Sequence, residues 1–415
     1  MKPLANATAM KAVLVAALVT CGCGDLLTVS DPNRITGDEL DSQLPLVANG
    51  VEASFHEEID VWVVYQALLA DVYQSTDTSA TLKNIDFGRV SGHELGSIGN
   101  AWTRTLGTAR DAEERFARVL GEAEAASSPL TAQVRLTVGL AELYLGMTFC
   151  EWYALPADAI VSDRQLLLQA ERTLTDAMGV ARLAERPDYE TAARAARAQA
   201  HLLLEHWSGA ESDASAIPAG FSYAAVFPLD ANRIVQLSSR HHHRMAGLMY
   251  KWWPLIETGD EPGFMMDPWT GRPDPRIPVF HAGELGDDME TPYYSQWKYD
   301  ALDDEIPLVH SDLMRLIVAE AKGRAGDYAG ATGILNELRM PVGLPAHATP
   351  SNGGAMAELV LWERFAELFM EGQRLIDLHR FGLMRDVFEA LEDPARPGEG
   401  RPSKWGSGCS AGGAK

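Results

Sequence analysis

Residues 193–214 read ARAARAQAHLLLEHWSGAESDA, and residues 317–339 read IVAEAKGRAGDYAGATGILNELR. Each stretch is an Ala-rich helix, a tight turn and then the pattern aromatic-x-x-Ala: Trp207 with Ala210, and Tyr328 with Ala331. Small side chains let two helices approach, and the aromatic ring fills the gap at the turn. That is the logic of tetratricopeptide helix pairs, so the two copies predict helical hairpins packed side by side.

Working outward, helical periods dominate and alternating strand patterns are scarce. Ser128-Pro129 is an N-cap followed by Pro at the first helical position, and Val134, Val138, Ala141 and Leu145 follow one face behind it. Asp327 caps the second helix of the later hairpin, and Met356, Leu359, Val360, Trp362 and Phe365 mark another helix. Further helices are expected at 40–54, 58–74, 98–124, 164–182, 188–207, 240–256 and 309–324. Residues 257–307 differ. They are rich in Pro, Gly, Asp and aromatics, so long helices are not expected there, and an irregular insert in a helical body is usually functional or packed over the core. From Asp393 the chain is rich in Gly, Pro and Ser and is expected to be mobile.

The chain has 415 residues, 46% of them hydrophobic, enough for a sizeable core. Lys and Arg number 35 against 58 Asp and Glu, a net charge of -23. Such a chain is a poor binder of nucleic acid, whose affinity comes mainly from neutralising phosphates; a neutral ligand such as a sugar meets no charge penalty. The four cysteines are Cys21, Cys23, Cys150 and Cys409. None has zinc-ligand company, a disulfide scaffold is not expected at this length, and Cys150, between Phe149 and Trp152, reads as a small buried hydrophobe.

The N-terminus carries Lys2 and Lys11, then the apolar run Ala12–Val19, then small residues and cysteine. This is a secretory leader, too short to span a bilayer, and its cysteine end resembles a bacterial lipoprotein signal over residues 1–22. Gly22 before Cys23 suits lipidation at Cys23; Leu18, three residues before Cys21, makes Cys21 the alternative. Lipid would attach a soluble body to a membrane face.

Four segments together carry a family resemblance. They are Cys23-Gly24-Asp25-Leu26-Leu27 with Asp31-Pro32; LAELYLGMTFCEWYALP at 140–156; KYDALDDEIPLVHSDLMRLIVAEAKGRAGDYAGATGILNELR at 298–339; and ERFAELFMEGQRLIDLHRFG at 363–382. In order and spacing they resemble the RagB/SusD family of outer-membrane nutrient-binding lipoproteins. Asp312, where relatives often carry Glu, departs from the pattern. The resemblance implies a mostly α fold: tetratricopeptide-like helix pairs forming a right-handed superhelical scaffold, with an irregular, loop-rich ligand-binding region. On this reading residues 23–392 form one SusD-like domain, with 257–307 as its irregular insert and 393–415 as a tail. It also implies a role without catalysis, as a lid on a SusC-like TonB-dependent outer-membrane transporter that captures an oligosaccharide, or a peptide, for import.

The C-terminal signature comprises Glu363, Arg364, Glu367, Glu371, Gly372, Arg374, Asp377 and Arg380. Its carboxylates invite a glycosidase reading, since two acids facing each other across a cleft can hydrolyse a glycoside. Glu and Arg or Arg and Asp at i, i+3 or i+4 also simply hold a helix together, and the structural reading is preferred. A lipid-anchored helical-barrel glycoside hydrolase and a tetratricopeptide-like envelope scaffold stand as alternatives. No cofactor and no metal site is expected: His241-His242-His243 read as a solvated turn, and Asp300, Asp303, Asp304 and Glu305 as a solvated acidic loop. For ligand contact, sugars need flat apolar rings with hydrogen-bonding groups beside them. Tyr73 and Asp77 in the early polar turn, and Trp269, Tyr293 and Tyr294 in the insert, offer both, with Asp267, Arg272 and Gln296 nearby. Trp62, Trp252 and Trp253 read as core, and Trp297 and Tyr299 as structural.

Overall fold

Turn chemistry explains how the Ala-rich stretches become hairpins. Helix Pro187–Leu203 ends, Glu205 enters the left-handed region at φ 59°, and His206 N–H donates to His201 O at 2.8 Å. Gly326 does the same at φ 86° after helix Ser311–Arg324, with Asp327 N–H on Lys322 O at 2.9 Å. A third copy was not recognised as a repeat of the other two in the sequence. Between helices Asp163–Leu183 and Pro187–Leu203, Glu185 has φ 53° and Arg186 N–H donates to Ala181 O at 2.8 Å. All three are Schellman closures, which satisfy helix-end carbonyls that would otherwise lack donors. The expected caps form as well: the Ser128 side chain accepts from Leu130 N–H, and the Asp327 side chain from Gly330 N–H.

The computed structural model describes residues 37–389, apart from 91–93, 155–158, 228–230, 240, 258, 260–262 and 282, together with the backbone of 392–393 and 396–400. The leader, both candidate lipidation cysteines, and residues 401–415 lie outside the described residues. Pro45–Lys415 form one unit, and Met1–Leu44 contribute helix Gly37–Asp41. At the start of the expected tail, the backbones of Glu392–Asp393 and Arg396–Gly400 pair antiparallel.

Helices Gly96–Leu120, Pro129–Thr148, Asp163–Leu183, Pro187–Leu203, Trp207–Ser215, Ser311–Arg324, Tyr328–Arg339 and Gly353–Glu367 pack against one another in series. The fold is thus mostly α, a tetratricopeptide-like row. Small residues set the spacing. Ala192, Ala193, Ala195, Ala196, Ala198 and Ala200 are all fully buried, so helix 187–203 is lined by neighbours on more than one side. A Cβ at Gly139 would lie 2.6 Å from Leu174 Cδ2, so the 129–148 and 163–183 helices meet there at closest approach.

The rest of the chain is short strands and turns. Tyr73–Ser75 pair antiparallel with Ala246–Leu248, Ser222–Ala225 with Ile306–His310, and Gly263–Met266, Pro273–Phe280 and Ser295–Gln296 form a three-stranded sheet. The helix expected at 240–256 is instead the strand Ala246–Leu248 and a 3-10 helix, Tyr250–Leu255. Two features account for this. Gly247 lets the Tyr293 ring press within 3.1 Å of where a Cβ would stand, and Pro254 removes a donor from any continuing helix. The Trp252 indole N–H donates to Asp71 O and that of Trp253 to Leu248 O, which ties the segment down. The helix expected at 58–74 stops at Leu69 and gives way to the strand. Cys150 is half-buried, not the fully buried small side chain expected.

Candidate functional site

The C-terminal signature shows most plainly what its charges do. Helix Gly353–Glu367 ends, Met370 and Gly372 take φ 57° and 73°, and a new helix runs Arg374–Arg380. Glu363 and Asp377 therefore do not share a helix face, and apart from the i, i+3 pair of Arg380 with Asp377 the exposed same-helix pairs expected from spacing are replaced by buried pairs between elements. Glu363 is fully buried and receives Arg339 Nη1 at 2.6 Å, Arg276 Nη1 at 2.7 Å and His347 Nε2 at 2.8 Å. Burial pushes its carboxyl up, but His347, Arg276 and Arg339 together outweigh burial and hold it at about 2. Glu371 takes Lys298 Nζ at 2.6 Å and His310 Nε2 at 3.0 Å, and these likewise overcome burial to hold it at about 2.

The remaining members follow suit. Asp377 sits between Arg364, 2.8 Å away, and Arg380, 3.0 Å away, and Arg380 also binds Glu320 at 2.7 Å. Arg374 makes a two-pronged pair with the fully buried Asp71, at 2.8 and 2.9 Å, and Lys251 adds 2.6 Å on the same carboxylate. Glu367 lies 3.2 Å from Arg276, with burial pushing its carboxyl up. Each signature carboxylate is thus committed to a cation. Gly372 has its own reason: a Cβ there would overlap the Trp62 indole.

Of the five residues expected to face a ligand, the structure buries four. Tyr73 is fully buried and donates to Ser238 Oγ at 3.1 Å; Tyr293 is 2% exposed, against Gly247. Tyr294 stacks on Trp253 with centroids 4.7 Å apart and on His281 at 3.7 Å. These findings overturn the surface assignment of the three tyrosines. The Pro- and Gly-rich insert builds its own sheet and turns Tyr293 and Tyr294 inward, while Tyr73 sits in the strand paired with Ala246–Leu248. Asp77 is buried too, with Oδ1 accepting Thr78 N–H at 2.7 Å and Oδ2 unbonded. The early turn and the 284–294 loop do meet: Thr76 O accepts Asp288 N–H at 2.9 Å, and Leu248 N–H donates to Tyr294 O at 2.8 Å.

Trp269 stands apart. It lies in the turn before strand 273–280, whereas Tyr294 adjoins the far end, where Phe280 pairs with Ser295. Eight residues of strand separate the ends by roughly 20 Å. Its indole is 49% exposed and is backed by Trp362 and His347, each with centroids 5.8 Å away. The turn beneath it is fixed by Asp267, whose Oδ1 accepts Trp269 N–H at 2.9 Å and whose Oδ2 accepts Thr270 Oγ1 at 2.9 Å and Arg339 Nη2 at 2.6 Å. Asp267 and Gln296 are therefore positioning groups, both buried, and not the ligand hydrogen-bonders expected.

Sequence reading also missed a mixed groove of about 640 Å³, lined by Ser54, Glu57, Asp60, Arg233 and Gln236 together with apolar residues such as Val226 and Phe227. Burial pushes the Asp60 carboxyl up to about 6, against the backbone N–H groups of Arg233 and Val61 that donate to it. The sequence signal was thin, since these residues come from segments about 170 positions apart.

Residues 314–406 match the model of the SusD family. Among solved structures, the chain is similar to a SusD superfamily protein from Bacteroides vulgatus, with 14% identity, a TM-score of 0.64, and 85% of this chain and 90% of that one covered. It is similar also to a SusD-like carbohydrate binding protein from Bacteroides fragilis, with 13% identity, a TM-score of 0.65, and 84% and 88% covered. No match is found among curated proteins.

Proposed function

We propose that the chain is a member of the SusD/RagB family, on its match over residues 314–406 and its likeness in fold, and that it is a non-catalytic lipoprotein of the outer membrane that binds a nutrient oligosaccharide and delivers it to a SusC-like TonB-dependent transporter. The observation that carries the binding reading is Trp269. A half-exposed indole, backed by two rings and held from below by the Asp267–Arg339 pair, is a flat apolar platform already in place. A platform fixed before binding lowers the ordering cost of capture. The commitment of Glu363, Glu367, Glu371 and Asp377 to buried cations supports a role without hydrolysis. The lipid anchor rests on Cys23 and its leader, and no helix among the described residues is long and apolar enough to cross a membrane.

Calorimetry of the protein against a panel of oligosaccharides and peptides tests this. We expect a glycan to bind, and Trp269→Ala to weaken it by about 1–3 kcal/mol, the scale of one lost stacking ring, with an unchanged circular dichroism spectrum. Full affinity in Trp269→Ala would remove this turn from the site. New reducing ends, lost on mutating a single carboxylate, would revive the hydrolase.

A further inference from the structure

We infer that Glu171, His201 and His206 form a binding site for one divalent transition-metal ion, at the turn joining helices 187–203 and 207–215. The three residues come from successive elements: Glu171 from helix 163–183, His201 from the last turn of helix 187–203, and His206 from the cap of helix 207–215. One ligand atom from each lies within 4.8 Å of the others. On a continuous helix, residues five apart would diverge by about 140°. The left-handed Glu205 folds the chain back, so that His206 N–H meets His201 O and the two rings lie 5.8 Å apart, centroid to centroid.

Within the cluster, His201 Nδ1 has no hydrogen-bond partner and the side-chain contacts are long. His206 Nδ1 and Glu171 Oε2 are 3.6 Å apart, too far for a good hydrogen bond. That spacing is close to the roughly 3.4 Å between two ligands of one tetrahedral ion with bonds of about 2.0–2.1 Å. His201 Nδ1 is buried without a hydrogen bond, and its Nε2 lies 3.6 Å from Asp213 Oδ2. Asp213 is itself paired with Arg197, at 2.7 and 2.8 Å. Two imidazoles and one carboxylate suit zinc and its neighbours better than calcium or magnesium. The exposed side chain of His206 leaves the fourth position open to water. A bound ion would clip three consecutive helices together where the row turns.

The test is zinc binding by the purified protein, followed by calorimetry and by thermal unfolding. Exposed His241-His242-His243 is the obvious competitor, so the comparison needs three variants: His206→Ala, Glu171→Gln, and a protein with all of His241, His242 and His243 changed to Ser. We expect one zinc per chain and a melting temperature raised by zinc and restored by chelator. His206→Ala and Glu171→Gln should each weaken binding at least about tenfold, while the triple variant retains the site. Should His206→Ala not fold, Glu171→Gln alone decides. No zinc uptake by the wild type, unchanged affinity in the cluster variants, or loss confined to the triple variant would each overturn the inference.

Discussion

Replacing Gly372 by alanine tests whether the turn between the last two signature helices is fixed by the Trp62 ring. Two separate costs are readable from the structure. Gly372 has φ 73°, a left-handed conformation that costs a residue with a Cβ about 1–2 kcal/mol. The new methyl would also overlap Trp62 Cζ3 and stand 2.6 Å from Cη2. Trp62 cannot yield easily. It is 1% exposed, its indole N–H donates to Thr148 Oγ1 at 2.8 Å, and Tyr144 packs on it with centroids 4.9 Å apart. Overpacking of this kind costs about 1–3 kcal/mol, so the total is about 2–5 kcal/mol, a large part of an ordinary domain's stability. Urea unfolding measures it as a lower midpoint at unchanged slope. The two costs separate in a Trp62→Leu background, where the ring is gone and Gly372→Ala should cost only the backbone part, about 1–2 kcal/mol. Equal costs in both backgrounds would refute the packing argument and leave conformation alone as the reason for glycine.

Glu142 is 3% exposed, with Gln169 Nε2 on one oxygen at 2.6 Å and the other unbonded, and burial pushes its carboxyl up to about 7. The folded protein then holds a proton that the unfolded chain releases above its ordinary 4.5, so stability falls as pH rises from about 4.5 to 7; Glu142→Gln should flatten that stretch in a pH series of denaturation midpoints, and an unaltered profile would refute the assignment. At Glu185, exposed and left-handed at φ 53°, glycine should stabilise the protein by about 0.5–1 kcal/mol; a lower melting temperature would mean the side chain matters more than the turn. For the anchor, Cys23→Ala should release the protein from membranes into the soluble fraction, whereas release by Cys21→Ala instead would move the lipid to that cysteine.

Much of the scaffold was legible because its signals are local. Ser128 and Asp327 cap helices a few residues away, and Gly326 announces its turn by being glycine. At Glu205 the turn was legible from the aromatic-x-x-Ala pattern behind it, although a Glu takes the left-handed position, and the equivalent turn at Glu185 was not recognised as a further copy. The charge pattern misled for a different reason. Residues 363–380 carry helical spacing, but the helix breaks at Met370 and Gly372, and the acids reach partners from other elements such as Arg276, Arg339 and Lys298. No spacing rule encodes such pairs. Tyr293 and Tyr294 looked exposed because Pro and Gly around them suggested a surface loop. Whether a ring in such a loop faces out depends on strand pairing across about 15 residues, as between Phe280 and Ser295. Trp269 lies in the same insert with the opposite outcome, and its sequence neighbourhood does not distinguish it from Tyr294.

The pairing of Asp71 with Arg374 has a consequence for how the chain is made. The two residues are separated by 303 positions, and the carboxylate is fully buried once they meet. At about 5–20 residues per second, a ribosome needs roughly 15–60 s to travel that distance. Throughout that interval the nascent chain already contains the acid but not the guanidinium that neutralises it, and the other cation, Lys251, arrives only partway through. The segment carrying Asp71 therefore cannot reach its final burial cheaply while synthesis continues. Completion of this fold waits on the segment that carries Arg374, and a chain that ends before it is left with an acid that water must keep.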